Sequence, residues 1–328
     1  MTILVTGGSG FLGSHIVEQL SQSGRSVRAL VRRSSDTKFL RTLSNVELFD
    51  GAVDDRQSLE QAVAGVEAVV HSAGLVKARS LDEFIRVNAR GTEALLEACL
   101  AQPATLKRFV LVSSITVGGP SDASGNPVPL DAIPRPVTDY GRSKLAAEQA
   151  ALAKKDSLKI TIIRPPAIYG PRDREILAFF KSIKLGVLPL LGSPQSKLSM
   201  TYGPDCARAC IRAIDAEVPS GSIFAIDDGV VHTMAELIRE AEAAVGKRAF
   251  LRIPLPRRIV EAAALMSEAY GRATNRAVML TRDKCNELFD QWVCDSASAQ
   301  RELGWAPSVT FSQGVQRTVD WYREAGWL

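Results

Sequence analysis

Several features that would announce a function are scarce in this chain of 328 residues. It has five cysteines, Cys99, Cys206, Cys210, Cys285 and Cys294, and their spacings match neither a disulfide framework nor a zinc site. Cys206 and Cys210, four apart in a helical pattern, read as small core residues, and no metal is expected. Histidine is rarer still, at three. No run of five or more like charges occurs, and with a formal charge of only +4 no nucleic-acid partner is expected. No apolar stretch reaches the length of a transmembrane segment, and no basic segment precedes the first strand. A reducing, cytoplasmic compartment is therefore expected. What is abundant is ordinary: 46% hydrophobic and 23% charged residues, enough to bury a full core in one large domain or two modest ones.

The strongest local pattern opens the chain. Residues 2–6 are a short β-branched run, followed by Gly7-Gly8-Ser9-Gly10-Phe11-Leu12-Gly13 and an amphipathic helix over about 11–23. Strand, glycine turn and helix in that order suit a dinucleotide: Gly7, Gly10 and Gly13 allow a tight turn, close approach of a pyrophosphate and tight helix–strand packing, with the phosphates at the helix N-terminus. A glycine-rich turn without a ligand is the plainer alternative. The second strand, 26–31, ends in Arg32-Arg33-Ser34 with no carboxylate. An acidic residue there would bond a ribose 2′-hydroxyl, whereas arginine accommodates a 2′-phosphate, so NADP is favoured and NAD is the alternative. Two solvated arginines at a strand end would look the same.

Beyond this point strands and helices alternate. Strands are expected at 46–49, 68–71, 109–113 and 159–164, with helices at 56–63, 81–99 and 140–155. Alternation of this kind implies right-handed crossovers and an α/β fold, a Rossmann doubly wound parallel sheet with its ligand crevice at the strand ends. The polar strand ends Ser72-Ala73-Gly74 and Ser113-Ser114-Ile115-Thr116 fall there, and Asn88 lies in the helix between them. Within the last helix, Tyr140 and Lys144 are four apart and so share a face. A cation fixed beside a phenol favours the phenolate, which would bring acid/base chemistry near neutrality.

Taken together, Thr6-Gly7-Gly8-Ser9-Gly10-Phe11-Leu12-Gly13, His71-Ser72-Ala73-Gly74, Val87-Asn88-Ala89-Arg90-Gly91-Thr92, Val112-Ser113-Ser114, Tyr140-x-x-x-Lys144 and Arg164-Pro165-Pro166-Ala167-Ile168-Tyr169-Gly170-Pro171 resemble the successive motifs of the extended short-chain dehydrogenase/reductases, the epimerase/dehydratase superfamily. The pattern is most similar to its 3β-hydroxysteroid dehydrogenase and dihydroflavonol reductase-like branch. The resemblance implies Tyr140 as general acid/base, Lys144 on the nicotinamide ribose, and Ser114 on the substrate oxygen with Thr116 close by. Ser114 is preferred to Ser113 because the family serine directly precedes the segment matched by Ile115-Thr116-Val117. Cofactor contacts carried over are Gly7, Ser9, Gly10, Phe11, Leu12, Gly13, Arg32, Arg33, Ser34, Val53, Ser72, Ala73, Gly74, Asn88, Val112, Tyr140, Lys144, Pro165, Ala167 and Ile168. The Asp that usually bonds adenine is replaced by Ala52, with Asp54 or Asp55 as substitutes.

Residues 1–170 are expected to form the dinucleotide-binding domain and 171–328 a smaller, mostly helical substrate-binding portion, with a return to the sheet allowed around 199–230. Distal helices are expected at 174–185, 204–216, 233–245 and 311–324, and strands at 223–226 and 291–293. The loop over 118–139 is expected to wall the substrate site, with Lys77 and Tyr202 as further substrate contacts. Where nucleotide-sugar enzymes hold a diphosphate with an Asn and an Arg, this chain has Ala167 and the arginine-free Leu198-Ser199-Met200-Thr201-Tyr202. Lys197, Arg172 and Arg174 are the available replacements. Residues 253–280 predict a helix apolar over much of its surface, read as a cover for an apolar substrate, a core helix or a membrane-surface helix. The expected activity is that of an NADP-dependent ketoreductase or alcohol dehydrogenase, moving a hydride between nicotinamide and a hydrophobic small molecule. The alternative is a nucleotide-sugar epimerase or dehydratase with tightly bound NAD. The resemblance also implies a homodimer.

Overall fold

Ile3, Leu4 and Val5 have no exposed surface. Successive strand side chains point to opposite faces, so Ile3 and Val5 enter one core and Leu4 another. An unbroken apolar strand of this kind is covered on both sides, and each such side chain contributes about 1.5–3 kcal/mol by burial.

The structure is a computed structural model that describes residues 1–102, 105–278 and 280–328. From the N-terminus its strands are β1 (Thr2–Thr6), β2 (Ser26–Val31), β3 (Val46–Asp50), β4 (Ala68–His71), β5 (Arg108–Val112), β6 (Ile160–Arg164), β7 (Ala167–Tyr169), β8 (Val187–Leu191), β9 (Lys197–Leu198), β10 (Met200–Tyr202), β11 (Ser222–Ala225), β12 (His232–Thr233) and β13 (Leu251–Leu255). The principal helices are α1 (Phe11–Gln22), α2 (Arg56–Ala62), α3 (Leu81–Phe84), α4 (Gly91–Leu100), α5 (Asp139–Leu152), α6 (Leu177–Leu185), α7 (Gly203–Asp215), α8 (Met234–Val245), α9 (Arg257–Thr274), α10 (Arg282–Phe289), α11 (Ala297–Glu302) and α12 (Phe311–Glu324).

Seven parallel strands form the central sheet in the order β3-β2-β1-β4-β5-β6-β11. Residues of α1, α7 and α11 cover one face, where Cys206, Ala207 and Cys210 let α7 approach closely. Those of α2, α4 and α5 cover the other. The return of the chain to the sheet is thus made by β11, with α7 packed against it. A third core, around Tyr169, Phe180, Met200 and Phe311, holds the distal portion together. A small fourth core joins Val260 and Ala264 of α9 to Cys285 of α10, with Leu191 and Leu255 packed against it.

Three expectations are corrected. The single helix over 81–99 is interrupted at Ile85–Arg90 by a wider π-type turn. Residues 291–293 form no strand, because only Trp292 bridges to Leu198. The loop after Ser114 is indeed irregular, but its body turns away from the site. Only its last residues, Thr138 and Asp139, line the cleft; Ser121 N donates to Gln291 O at 2.9 Å and Lys197 Nζ to Ser124 O at 2.8 Å, which holds the body of the loop against the distal portion outside the lining. Among the described residues, no helix is long and apolar enough to cross a membrane.

Candidate active site

One cleft of about 2450 Å³ runs along the strand ends, several times the volume of an ordinary small-ligand pocket. Gly7, Ser9, Gly10, Phe11, Leu12 and Gly13 line one end of it. Gly7 has φ +71°, and a Cβ there would stand 2.8 Å from the Ala73 backbone; a Cβ at Gly13 would collide with the Gly7 carbonyl oxygen. Only glycine permits this approach of turn, helix and neighbouring strand end. Gly10 begins α1 with no side-chain cap and no acidic residue follows in the first turn, so the first helical amides face the cleft unclaimed. That is the environment a pyrophosphate requires.

Behind the turn, Thr6, His71 and Thr92 form a buried chain that locks β1, β4 and α4 together. Thr92 spends its hydroxyl proton on Asn88 O at 2.6 Å, so His71 Nε2 must donate to Thr92 Oγ1 at 2.9 Å. His71 Nδ1 then accepts from Thr6 Oγ1 at 2.6 Å, and that oxygen accepts from Ala73 N at 3.2 Å. Each atom has one role, and all of them require a neutral imidazole. Burial, aided by the Lys144 charge, lowers the His71 pKa to about 3.

Asn88 sits in the π-type turn, and its amide holds the loop after Ser72-Ala73-Gly74. Its Oδ1 accepts from Leu75 N at 2.7 Å while Nδ2 donates to Leu75 O at 3.0 Å and to Ser143 Oγ at 2.9 Å. It is fully occupied behind the cleft wall, and it positions the loop without lining the site.

Ser114, Thr116, Tyr140 and Lys144 converge at the middle of the cleft, with Val112, Pro165, Ala167 and Ile168 around them. Ser114 Oγ accepts from Thr116 N at 3.2 Å and from Thr116 Oγ1 at 2.9 Å, which leaves its own proton free to donate. The phenol of Tyr140 is half-buried and packs edge-on against Phe84 at 6.1 Å. Lys144 lies on the same face of α5, as the spacing implies, but its ammonium donates to Val112 O at 2.8 Å and stands 6.0 Å from the Tyr140 ring centroid. The expected lowering of the phenol pKa is therefore not what these contacts produce. Desolvation pushes Tyr140 above its ordinary value, the charge of Glu287 adds to this, and a Ser114 hydrogen bond opposes it. Burial likewise lowers Lys144 to about 8, partly offset by Glu148 one turn along α5. Glu148 itself is clamped by Arg164 of β6 through two bonds of 2.8 and 2.7 Å, both side chains buried.

At the β2 end, Arg32 lines the cleft but Arg33 and Ser34 do not; Arg33 is 91% exposed and reaches Asp50 at 3.7 Å. Ser35, Asp36, Lys38 and Phe39, which sequence reasoning passed over, stand there instead, with Asp36 accepting from Lys38 N at 3.1 Å. Val53 and Asp54 line the adjoining wall, while Asp55 caps α2. Lys77 lines the cleft and pairs with Glu175 at 3.2 Å. Tyr202 is not brought to the site: it is 6% exposed and packs on Tyr169 in the third core. Of the basic side chains named as phosphate replacements, Lys197 is committed to the 118–138 loop, Arg172 to Glu18 at 2.6 Å, and Arg174 lies over Trp327.

The opposite wall is formed from residues 268–278 and 280–292, placed there by α9 and α10. Asp283 accepts from Asp139 N at 2.8 Å, so α10 is held against the first turn of the helix that carries Tyr140. Glu287 pairs with Lys284 at 2.6 Å. The cover expected of residues 253–280 is thus met in part by the end of α9, but no periodicity links residue 140 to residue 287, and the contribution of α10 was not read from the sequence.

A glycine turn at a helix N-terminus and a Ser–Tyr–Lys cluster on one parallel sheet define a dinucleotide-dependent enzyme, and the comparisons agree. Residues 3–227 match the NAD dependent epimerase/dehydratase family, and the chain belongs to it. It is an NAD(P)-dependent enzyme of the extended short-chain dehydrogenase/reductase type, an oxidoreductase. Ceramide reductase of Caulobacter vibrioides is 36% identical over 332 residues, with 99% of this chain and 96% of that protein covered. A 4-hydroxy-2-methyl-3-oxo-4-farnesyl-3,4-dihydroquinoline-1-oxide ketoreductase of Stigmatella aurantiaca is 30% identical, with 99% and 97% covered. The structure of DesIV, a dTDP-glucose 4,6-dehydratase from Streptomyces venezuelae with NAD and TYD bound, aligns at TM-score 0.82 and 26% identity over 100% of this chain and 98% of that one.

Proposed function

We propose that this chain is an NADP-dependent ketoreductase that interconverts a carbonyl and a hydroxyl on a hydrophobic small molecule, with Tyr140 as the acid/base. The observation that carries this reading is the convergence of Ser114, Tyr140 and Lys144, with the Ser114 hydroxyl bonded to the phenol, on the wall of the cleft that also holds the glycine turn. When bound along that turn, the dinucleotide supplies the electron pair for the carbonyl carbon. The chain's own part is the oxygen. Ser114 donates its free proton in a hydrogen bond that fixes the substrate oxygen, and Tyr140 Oη delivers a proton to that oxygen as negative charge builds on it. A phenol raised by burial is fully protonated at neutral pH and so enters the reduction as the acid. Lys144, with its pKa lowered to about 8 by burial, would hold the nicotinamide ribose from its place at Val112 O.

The hydrophobic substrate is supported by Leu191, Leu198, Met200, Leu237, Phe311 and Trp321 along the distal cleft, and by relatives named for ceramide and a farnesylated quinoline. The NADP preference is supported by Arg32 and Lys38 beside a strand that ends without a carboxylate. A homodimer through α4 and α5 belongs to the same reading and is checked by mass in solution. The central test is turnover of a panel of long-chain ketones with NADPH and NADH. The reading requires preference for NADPH that falls by roughly tenfold in Arg32→Ala, a loss of one charge-assisted bond. Equal use of both cofactors would remove the NADP assignment.

A second reading, a nucleotide-sugar epimerase or dehydratase with tightly held NAD, is favoured by Arg272, Arg276 and Lys284 in the wall of residues 268–278 and 280–292, which would face a diphosphate. Stabilisation of the protein by UDP in a melting assay, with oxidised cofactor retained on purification, would favour it over the first.

A further inference from the structure

The exposed large apolar side chains are not scattered. Seven of fifteen fall within residues 250–270, in a chain of 328. On β13 and just before it are Phe250, Leu251 and Ile253, with Phe250 78% exposed and lying against Gly186, next to the exposed Leu185. On α9 they are Ile259, Leu265, Met266 and Tyr270, with Met266 69% exposed. A helix repeats every 3.6 residues, so Ile259, Ala262, Met266 and Tyr270 run along one outer stripe, while Val260, Ala264 and Gly271 face inward to the fourth core. α9 is therefore apolar on both sides, and nothing among the described residues covers the outer one.

Charge is concentrated on the same stretch. Residues 247–276 carry seven basic and two acidic side chains, a surplus of five, against a net charge of +4 for the entire chain. Arg258 lies on the same outer half of α9 as Leu265, two turns before it, exposed and free of any ion pair among the described residues. The C-terminal turn of α9 then lines the cleft through Gly271, Arg272, Asn275 and Arg276. An apolar stripe with arginines at its border, ending at the mouth of a substrate cleft, fits the interface of a bilayer containing anionic lipid.

We propose that α9, with the β13 edge before it, is a peripheral membrane-docking surface that seats the cleft mouth on anionic lipid headgroups. The insertion is shallow: Ile259, Met266 and Tyr270 enter the acyl boundary while Arg258 remains among the phosphates. The proposal deepens the ketoreductase reading, since a lipophilic substrate would then pass from bilayer to Tyr140 without crossing water.

The test is co-sedimentation of the full chain with vesicles of phosphatidylcholine, with and without phosphatidylglycerol, at low and high salt. Binding is expected only with phosphatidylglycerol and should weaken as salt rises. Ile259→Glu with Met266→Glu should abolish sedimentation, and Arg258→Glu should weaken it roughly thirtyfold, two charge units at the surface. Ile133→Glu, at an isolated exposed apolar residue 82% exposed, should change nothing. Turnover of a short, water-soluble ketone should be the same in all of these variants. Absence of binding to anionic vesicles, or binding indifferent to the α9 substitutions, overturns the proposal. So does a dimer in solution that the same substitutions dissociate, because the stripe would then be a subunit contact. Vesicle binding needs neither substrate nor cofactor, so a failed ketone assay with intact binding tells against the ketoreductase alone.

Discussion

The two walls of the cleft are held by different forces. On the sheet side, polar groups are buried and individually matched: the Thr6–His71–Thr92 chain, the Asn88 amide, and Arg164 clamped on Glu148. On the side made by α9 and α10, the contacts are pairs such as Arg282–Glu268 and Arg142–Asp283, between side chains open to solvent, over a fourth core of few residues. Buried matched groups are costly to disturb, whereas exposed ion pairs contribute little. The wall that carries Ser114, Tyr140 and Lys144 is therefore the costly one to disturb, and the wall made by α9 and α10 is the one more able to give way.

This contrast can be tested at several strengths. The largest effect is expected from Tyr140→Phe, which keeps the packing on Phe84 but removes the acid. kcat/KM should fall about 10²- to 10⁴-fold with cofactor affinity unchanged by fluorescence titration. If affinity fell in step with turnover, the phenol would be a binding group. Glu148→Ala comes next: it strands Arg164 without its partner, and denaturant unfolding should show a loss of about 3–5 kcal/mol. A loss too small to measure would mean that the sheet side is as tolerant as the other.

A third effect is set by pH. The folded pKa of His71, about 3, lies below its ordinary value of 6.5, so between those limits the unfolded chain binds a proton that the folded one does not. Stability contributed by the neutral imidazole is present above pH 6.5 and is lost as pH falls toward 3, at about 1.4 kcal/mol per pH unit. In His71→Gln this component of the acid slope should vanish. Lys144 behaves alike at the other end. Its folded pKa of about 8 is below 10.5, so stability should rise as pH climbs through that window, and Lys144→Met should flatten the rise. The smallest effect is expected from Arg282→Ala, on the exposed side: a melting temperature within error of the parent. A clear drop there would show α10 to be more firmly fixed than its contacts imply.

Much of the sheet side was legible from residues alone, because its signals are local. A β-branched run, a glycine turn and a helix are neighbours in the chain, and Tyr140 and Lys144 share a face through helical geometry. Where reasoning erred, the deciding contact was distant. Lys144 was expected to tune the phenol, but its ammonium is drawn to the Val112 carbonyl on β5, and burial with Glu287 sets the phenol pKa. Tyr202 was expected at the substrate and belongs to a core. The loop over 118–139 was expected as a wall and supplies only Thr138 and Asp139 to it, its body being held by Gln291 and Lys197.

By itself the sequence determined the parallel sheet, the dinucleotide turn and the identity of the Ser114, Tyr140 and Lys144 cluster, since periodicity, glycine sterics and helical spacing act over a few residues. Only the tertiary structure decided which groups face Tyr140, how its proton is held, and that α9 shows solvent an apolar side beside the cleft. Those depend on desolvation and on contacts across more than a hundred residues, and neither leaves a local trace in the chain.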